Sequence, residues 1–376
     1  MKLFNLPRRS AARTLLAALI GAMAVCAARA ADEEKVLNVF NWSEYIADDT
    51  VRNFEKETGI HVRYDSFDSN EILLAKMIAG HTGYDIIIPS SDYGRIMMDG
   101  GLVQKLDRGL LPNWPNLSPP VMRMMSRLDP GNQYMVPWLG STVSVGYNVD
   151  KVKAALGTLP IPDNPYELVF NPKYTARLKS CGISVLDSAI DLFPAALVYL
   201  NRRAYSNNPA DYADAAAMLQ KVRGDIGLFS SNGYITDMAS GQICVALGYG
   251  GDFNNSAQRA KSSGNGVRIA NPLPPGGVPF GFESMMIPVD APHARNAHKW
   301  INYILRPDVQ AAITNKLRFT SPNAAARKFI LPDVLANPLA FPSDDYLETR
   351  AQFYEVRRPE TRRLMTRAFT RFKAGF

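Results

Sequence analysis

Residues 36–89, VLNVFNWSEYIADDTVRNFEKETGIHVRYDSFDSNEILLAKMIAGHTGYDIIIP, alternate short β-rich runs with stretches of helical period. Val36–Phe40 has the composition of a strand. A helix is expected over Asp48–Glu57, capped by Asp48 or Asp49 and stopped by Gly59. His61–Phe67 leads in the same way into a helix over Asn70–Ala79, which Gly80 ends. Tyr84–Pro89 is short and almost wholly apolar, as suits a strand whose sheet is covered on both faces. Strands and helices in this order specify an α/β fold with largely parallel sheets.

The alternation continues outward. Val143–Tyr147, Ile183–Leu186, Gln242–Leu247 and Val267–Ala270 read as strands, with helices such as Tyr212–Arg223 and Ala294–Ile304 between or after them. No internal repeat or low-complexity block interrupts the pattern. The 376 residues exceed what one hydrophobic core serves, roughly 250–300 residues, so two lobes are expected. Proline- and glycine-rich stretches at Val136-Pro137-Trp138-Leu139-Gly140 and at residues 271–277 mark where the chain crosses between them. The expected division is 35–140 with 277–317 in one lobe and 142–272 with 320–376 in the other. Ligands of open α/β sheets bind beyond the carboxyl ends of the strands, so two facing lobes would hold a site in the cleft at their hinge.

Residues 1–30 read as an address, separate from the fold. Lys2, Arg8, Arg9 and Arg13 precede an apolar run from Leu15 to Ala27, and Ala28-Arg29-Ala30 follows. That is a secretory signal cleaved after about Ala30, with an apolar run too short to span a bilayer. An N-terminal anchor helix is the competing reading. Val25 is a poor neighbour for a lipidated Cys26, and the residues around Arg8-Arg9 fit twin-arginine export badly. The segment also explains the formal charge of +7: without its five bases, 37 bases face 35 acids. A nucleic-acid or polyanion partner loses its support. No later stretch approaches 18 apolar residues, so the mature chain is expected to be soluble.

Once Cys26 is removed, Cys181 and Cys244 remain. In an oxidising compartment an even pair reads as a structural disulfide ahead of a redox or metal pair, which would want a CxxC or nearby histidines. Catalytic signatures are missing. His61, His81, His293 and His298 form no HExxH and no metal-ligand spacing, and there is no GxSxG elbow and no phosphate loop. Gly248-Tyr249-Gly250-Gly251-Asp252 is glycine-rich but lacks the dinucleotide spacing. A glycosidase-like carboxylate pair is the main enzymatic alternative, because sequence spacing does not exclude one.

Asn41-Trp42-Ser43-Glu44-Tyr45-Ile46 resembles the periplasmic polyamine-binding proteins of ABC transporters, most closely their putrescine-binding branch. The likeness continues through residues 54–60 and 64–71, Pro89-Ser90, residues 146–152, Ser180-Cys181-Gly182, Ile243-Cys244-Val245-Ala246 and Leu305-Arg306-Pro307-Asp308-Val309. The resemblance implies a two-lobed, hinge-closing type II periplasmic-binding-protein fold and a Cys181–Cys244 disulfide. It also implies a periplasmic monomer without cofactor that hands a cationic amine to a membrane permease. The family's aromatic-plus-acid motif falls on Trp42, Ser43, Glu44 and Tyr45, and its pocket serine on Ser90. A second-lobe acid falls on Asp191, a tryptophan-x-x-aspartate pair on Tyr249 and Asp252, a Phe-Phe-Asp run on Gly281, Phe282 and Glu283, and a hinge tyrosine on Phe319.

These residue types suit the chemistry independently. An ammonium leaving water costs several kcal/mol unless carboxylates and hydrogen-bond acceptors replace its hydration. Asp191, Asp252, Glu283 and Glu44 would supply the charge, and Ser43 and Ser90 the acceptors. Trp42, Tyr45, Tyr249 and Phe282 would cover the methylenes, each adding cation–π attraction of about 0.5–2 kcal/mol. Gly281 stands where the family has an aromatic, so a pocket missing one wall is expected, with room for a longer polyamine or a guanidino amine. The tail arginines, Arg357 among them, read as the solvated face of an amphipathic helix. An amine sensor of the same fold and an exported carboxylate-pair hydrolase are the competing functions.

Overall fold

The computed structural model describes residues 33–43 and 45–376; the expected export segment, residues 1–30, and Glu44 lie outside them. β1 (Val36–Trp42) runs parallel to β2 (His61–Phe67) on one side and to β3 (Ile86–Ile87) on the other, giving the order β2-β1-β3. The helix Thr50–Thr58 ends at Gly59, whose φ of 68° is the left-handed conformation glycine adopts cheaply. The helix Asn70–Ala79 is capped by Ser69, whose hydroxyl accepts from the Ile72 amide at 3.2 Å. Successive strand residues point to opposite faces. Leu37, Val39, Ile86 and Ile88 enter a core with Trp300 and Ile304, while Phe40 and Ile87 enter another with Phe67, Met97 and Phe282. That double burial is why Ile86–Ile88 is an unbroken apolar run.

The second sheet has seven strands: β4 (Val136–Asn148), β5 (Ile183–Val185), β6 (Leu228–Phe229), β7 (Val245–Tyr249), β8 (Ile269–Ala270), β9 (Val278–Met285) and β10 (Ala351–Phe353), in the order β10-β9-β4-β7-β5-β6 with β8 on β4. β5 is parallel to β6 and β7, whereas β4 is antiparallel to β7, β8 and β9, so this sheet is mixed. Its core gathers Val143, Val145, Tyr166, Phe193, Leu247 and Phe253. The disulfide Cys181–Cys244, with its Cα atoms 5.5 Å apart, staples the chain just before β5 to the chain just before β7.

The first expected crossing is a single continuous strand. β4 gives Val136, Trp138 and Leu139 to the first lobe's core and Val143 and Val145 to the second's. β9 runs beside it with Ser141 opposite Gly281, and Thr320 pairs with Gly140 on a third passage. Residues 320–376 do not all join the second lobe as expected. Asn323 bridges to Leu117 and donates to the Leu305 carbonyl at 2.8 Å, and Ala326, Ile330 and Val334 pack with Ala311 of the helix Pro307–Leu317. Those side chains find their apolar partners on the first lobe. The last helix, Pro359–Ala374, does pack into the second lobe through Met365 and Phe372. Arg357 just before it is 3% exposed, so it is no part of a solvated face. Among the described residues no helix is long and apolar enough to cross a membrane.

Candidate functional site

Among the strands that lead into helices are β3, into Ser91–Asp99, β5, into Ala189–Tyr199, and β7, into Gly250–Ser263. Each of these helices carries a buried aspartate in its first turn, Asp92, Asp191 and Asp252. A helix N-terminus carries positive partial charge and stabilises a carboxylate placed there. The acids converge between the lobes, where Asp191 lies within electrostatic reach of Asp92, and Glu283 of β9 within reach of both.

Hydroxyl groups hold these acids in place. Ser188 donates to Asp191 Oδ2 at 2.6 Å and Tyr249 to the same oxygen at 2.9 Å. Tyr234 donates to Asp252 Oδ2 at 2.6 Å and accepts from the Tyr249 amide at 2.9 Å. Tyr45 donates to Glu283 Oε2 at 3.1 Å, and Ser90 to Asp92 Oδ1 at 2.7 Å. In both Asp191 and Asp252 the hydroxyls gather on Oδ2, leaving Oδ1 without a hydroxyl or amide donor among the described residues. Burial pushes the Asp252 carboxyl up to about 7 and that of Glu283 up to about 8, against the opposing pull of their tyrosine donors. Burial raises Asp191 as well, while Ser188 and Tyr249 lower it. Burial thus disfavours the ionised form of these carboxyls and their hydroxyl donors restore it only in part, so a cation placed among them would favour ionisation and be held by it.

The aromatic residues divide. Trp42 ends β1, with its Nε1–H donating to the Ile88 carbonyl at 2.9 Å and its ring 4.6 Å from that of Phe67. Tyr45 meets Phe319 edge to face at 5.1 Å, and Phe319 lies against Gly251, where a Cβ would come within 2.4 Å of its ring. Phe282 does not reach the cleft. Strand alternation sends it with Phe280 into the core, the two rings 5.2 Å apart, and turns Gly281 and Glu283 the other way. Ser43 is exposed and donates to Asp68 at 3.0 Å. The missing wall expected at Gly281 is also corrected: a Cβ there would lie 2.0 Å from the Tyr354 ring, which fills that space. The described residues therefore bring together Tyr45, Ser90, Asp191, Tyr249, Asp252, Gly281, Glu283 and Phe319, with Trp42 at the end of the neighbouring strand.

Sequence reading missed Asp92, Ser188, Tyr234 and Tyr354. Ser188-x-x-Asp191 has the spacing of a capping box and marked a helix start, although the serine hydroxyl here donates to the carboxylate. Asp92 opens the helix after Ser90 and was open to the same argument. Tyr234 and Tyr354 arrive from distant segments, and no local pattern announces them.

A buried acidic cleft between two α/β lobes is the architecture of a solute-binding protein. The family model of bacterial extracellular solute-binding proteins matches residues 49–342, and the chain belongs to that family. It is 40% identical to the putrescine-binding periplasmic protein SpuD of Pseudomonas aeruginosa, over 96% of this chain and 98% of that one. It is 41% identical to the putrescine-binding periplasmic protein PotF of Escherichia coli, over 94% and 95% of the two chains. Among solved structures, the spermidine/putrescine ABC transporter substrate-binding protein PotD of Streptococcus pneumoniae superposes with a TM-score of 0.75, covering 90% of this chain and 99% of that one. At 23% identity that likeness speaks for the fold alone.

Proposed function

We propose that this chain is the periplasmic solute-binding component of an ABC importer and that it carries a polyamine or related cationic amine to a membrane permease. The observation that carries the reading is the row of carboxylates, Asp191 and Asp252 buried and Glu283 half-buried, each bonded to a tyrosine hydroxyl at the junction of the lobes. Ammonium groups placed against these acids recover the hydration they lose, and Trp42 and Tyr45 offer aromatic faces to the methylenes between them. The names of the relatives support the same ligand class.

Binding proceeds without chemistry in this reading. The first lobe is built on 35–140 and 277–317, and the second on 142–272 with the C-terminal helix. An open form takes up the amine, and the closed form, in which Tyr45 and Glu283 of one side and Asp191 and Asp252 of the other share one cation, docks on the permease. Closure is driven by contacts that exist only in the closed state. The protein works as a monomer, exported by a signal removed after about Ala30.

Calorimetric titration of the ligand-stripped mature protein with putrescine, cadaverine, spermidine, spermine and agmatine tests the proposal. Saturable one-to-one binding without product formation is expected. Silence across the panel would sink the amine reading, and turnover of a glycoside or ester would return the hydrolase.

A further inference from the structure

The acids form a row with unlike ends. Asp252 stands at one end with Tyr234, and there, among the described residues, the protein's own positive charge comes only from the exposed Arg259, within electrostatic reach of the carboxyl. Tyr249 links Tyr234 to Asp191 through its amide and its hydroxyl. Beyond Asp191 comes Asp92, and there the row meets a cation that belongs to the protein itself: Arg357 Nη2 lies 3.9 Å from Asp92 Oδ2, with both side chains buried. The guanidinium also lies 5.2 Å from the centre of the Tyr205 ring.

Three residues before Arg357, Tyr354 fills the other gap at this end. A Cβ on Gly281 would lie 2.0 Å and 2.1 Å from Cδ2 and Cε2 of its ring, so the wall that glycine gives up is rebuilt from a different segment. The ring meets that of Tyr205 edge to face at 5.7 Å. The Tyr354 amide donates to the Phe280 carbonyl at 3.0 Å, extending the β10–β9 pairing and pinning the segment to the strand that carries Glu283.

We infer that Tyr354 and Arg357 close this end of the site and make it selective for short diamines over longer polyamines. The inference rests on the amine reading above and names the length of the amine. A triamine must bring a third ammonium and further methylenes past Asp191. Arg357 already supplies positive charge at Asp92, and Tyr354 holds the space the methylenes would need. The guanidinium's Nε and Nη1 have no hydrogen-bond partner among the described residues, which makes a ligand carboxylate the rival occupant. That carboxylate would sit beside Asp92 and Asp191, and the repulsion disfavours it.

The test titrates the mature protein, Arg357→Gln and Tyr354→Ala with putrescine, cadaverine, spermidine, lysine and 4-aminobutyrate, after thermal melts show which variants fold. The native protein is expected to bind putrescine or cadaverine at least about tenfold more tightly than spermidine. Either folded variant is expected to shrink that ratio by about tenfold or more, a change of one displaced contact. Equal native affinities for diamine and triamine would overturn the inference, as would an unchanged ratio in the variants. Binding of lysine or 4-aminobutyrate that Arg357→Gln abolishes would overturn it in favour of a carboxylate site. If the native protein binds no amine, the amine reading itself fails and takes this inference with it. If amines bind without length preference, only the inference falls.

Discussion

The ring of Tyr354 stands where a side chain at Gly281 would stand, 2.0 Å from the position of its Cβ. These two residues, far apart in the chain, form one packing unit in the wall of the cleft. Adding an aromatic at 281 to a filled site forces strain, typically 1–3 kcal/mol for overpacking. Gly281→Phe alone should therefore lower stability and weaken ligand binding, and combining it with Tyr354→Ala should recover much of both. A coupling energy of about 1–3 kcal/mol is expected from chemical denaturation of the two single variants and the double. Strictly additive effects would show that the ring does not hold that space.

The empty site should respond to pH in a particular direction. In the unfolded chain Asp252 and Glu283 ionise at roughly pH 4. In the folded, empty protein burial keeps their protons on up to about 7 and about 8. The folded state binds more protons across that window, so its stability falls as pH rises through it, by up to about 1.4 kcal/mol per pH unit for each group. A bound cation reverses the balance by favouring both carboxylates. Melting temperature of ligand-free protein should drop between pH 5 and pH 8, and that of amine-saturated protein should hold. Affinity should rise over the same range, with protons released to buffer. Binding enthalpies identical in buffers of different ionisation heat would contradict this.

Much of this was legible from local pattern. The double-sided apolar run at 86–88, Gly59 and Gly80 as helix stops, and the Pro137- and Gly140-bearing strand at 136–140 each express a constraint carried by a few neighbouring residues. The α/β class followed from them. The site was legible only in part, because its residues answer to partners outside their own segments. Phe282 looks like a platform beside Glu283, yet strand alternation buries it as surely as it turns Glu283 outward. Arg357 sits in a run of arginines that suggested a wet helix face, and nothing in that run marks it as the one beside Asp92. The glycine at 281 read as a missing wall because Tyr354 lies beyond any sequence window.

Neutralising the acids separates the residues that hold the ligand from those that only border it. Asp191→Asn and Asp252→Asn keep the shape of the side chain and remove the charge, and each should cost about 2–5 kcal/mol of binding if the partner ammonium is left buried. Ser43→Ala should change affinity by less than about threefold, because Ser43 is exposed and turned toward Asp68. Titration with the best-bound amine decides the matter. A Ser43→Ala loss matching that of Asp252→Asn would show that the rim at Ser43 contributes as much as the buried row.

The Cys181–Cys244 disulfide should govern stability without governing affinity. It joins residues 63 positions apart, and closing a loop of that length removes about 4 kcal/mol of unfolded-state freedom in the chain-entropy model. The two cysteines precede β5 and β7, at the amino ends of neighbouring parallel strands, whereas Asp191 and Asp252 follow the carboxyl ends of those same strands. A staple at one end of a pair of strands resists unfolding of the lobe without setting the side chains at the other. Cys181→Ala/Cys244→Ala, or the native protein under reductant, should melt roughly 8–16 °C lower by calorimetry. Its amine affinity at 25 °C should stay within about threefold of native, since a folded site owes nothing to a cross-link that acts on the unfolded chain. Loss of affinity in a variant whose melting temperature is unmoved would mean that the bond positions the site directly.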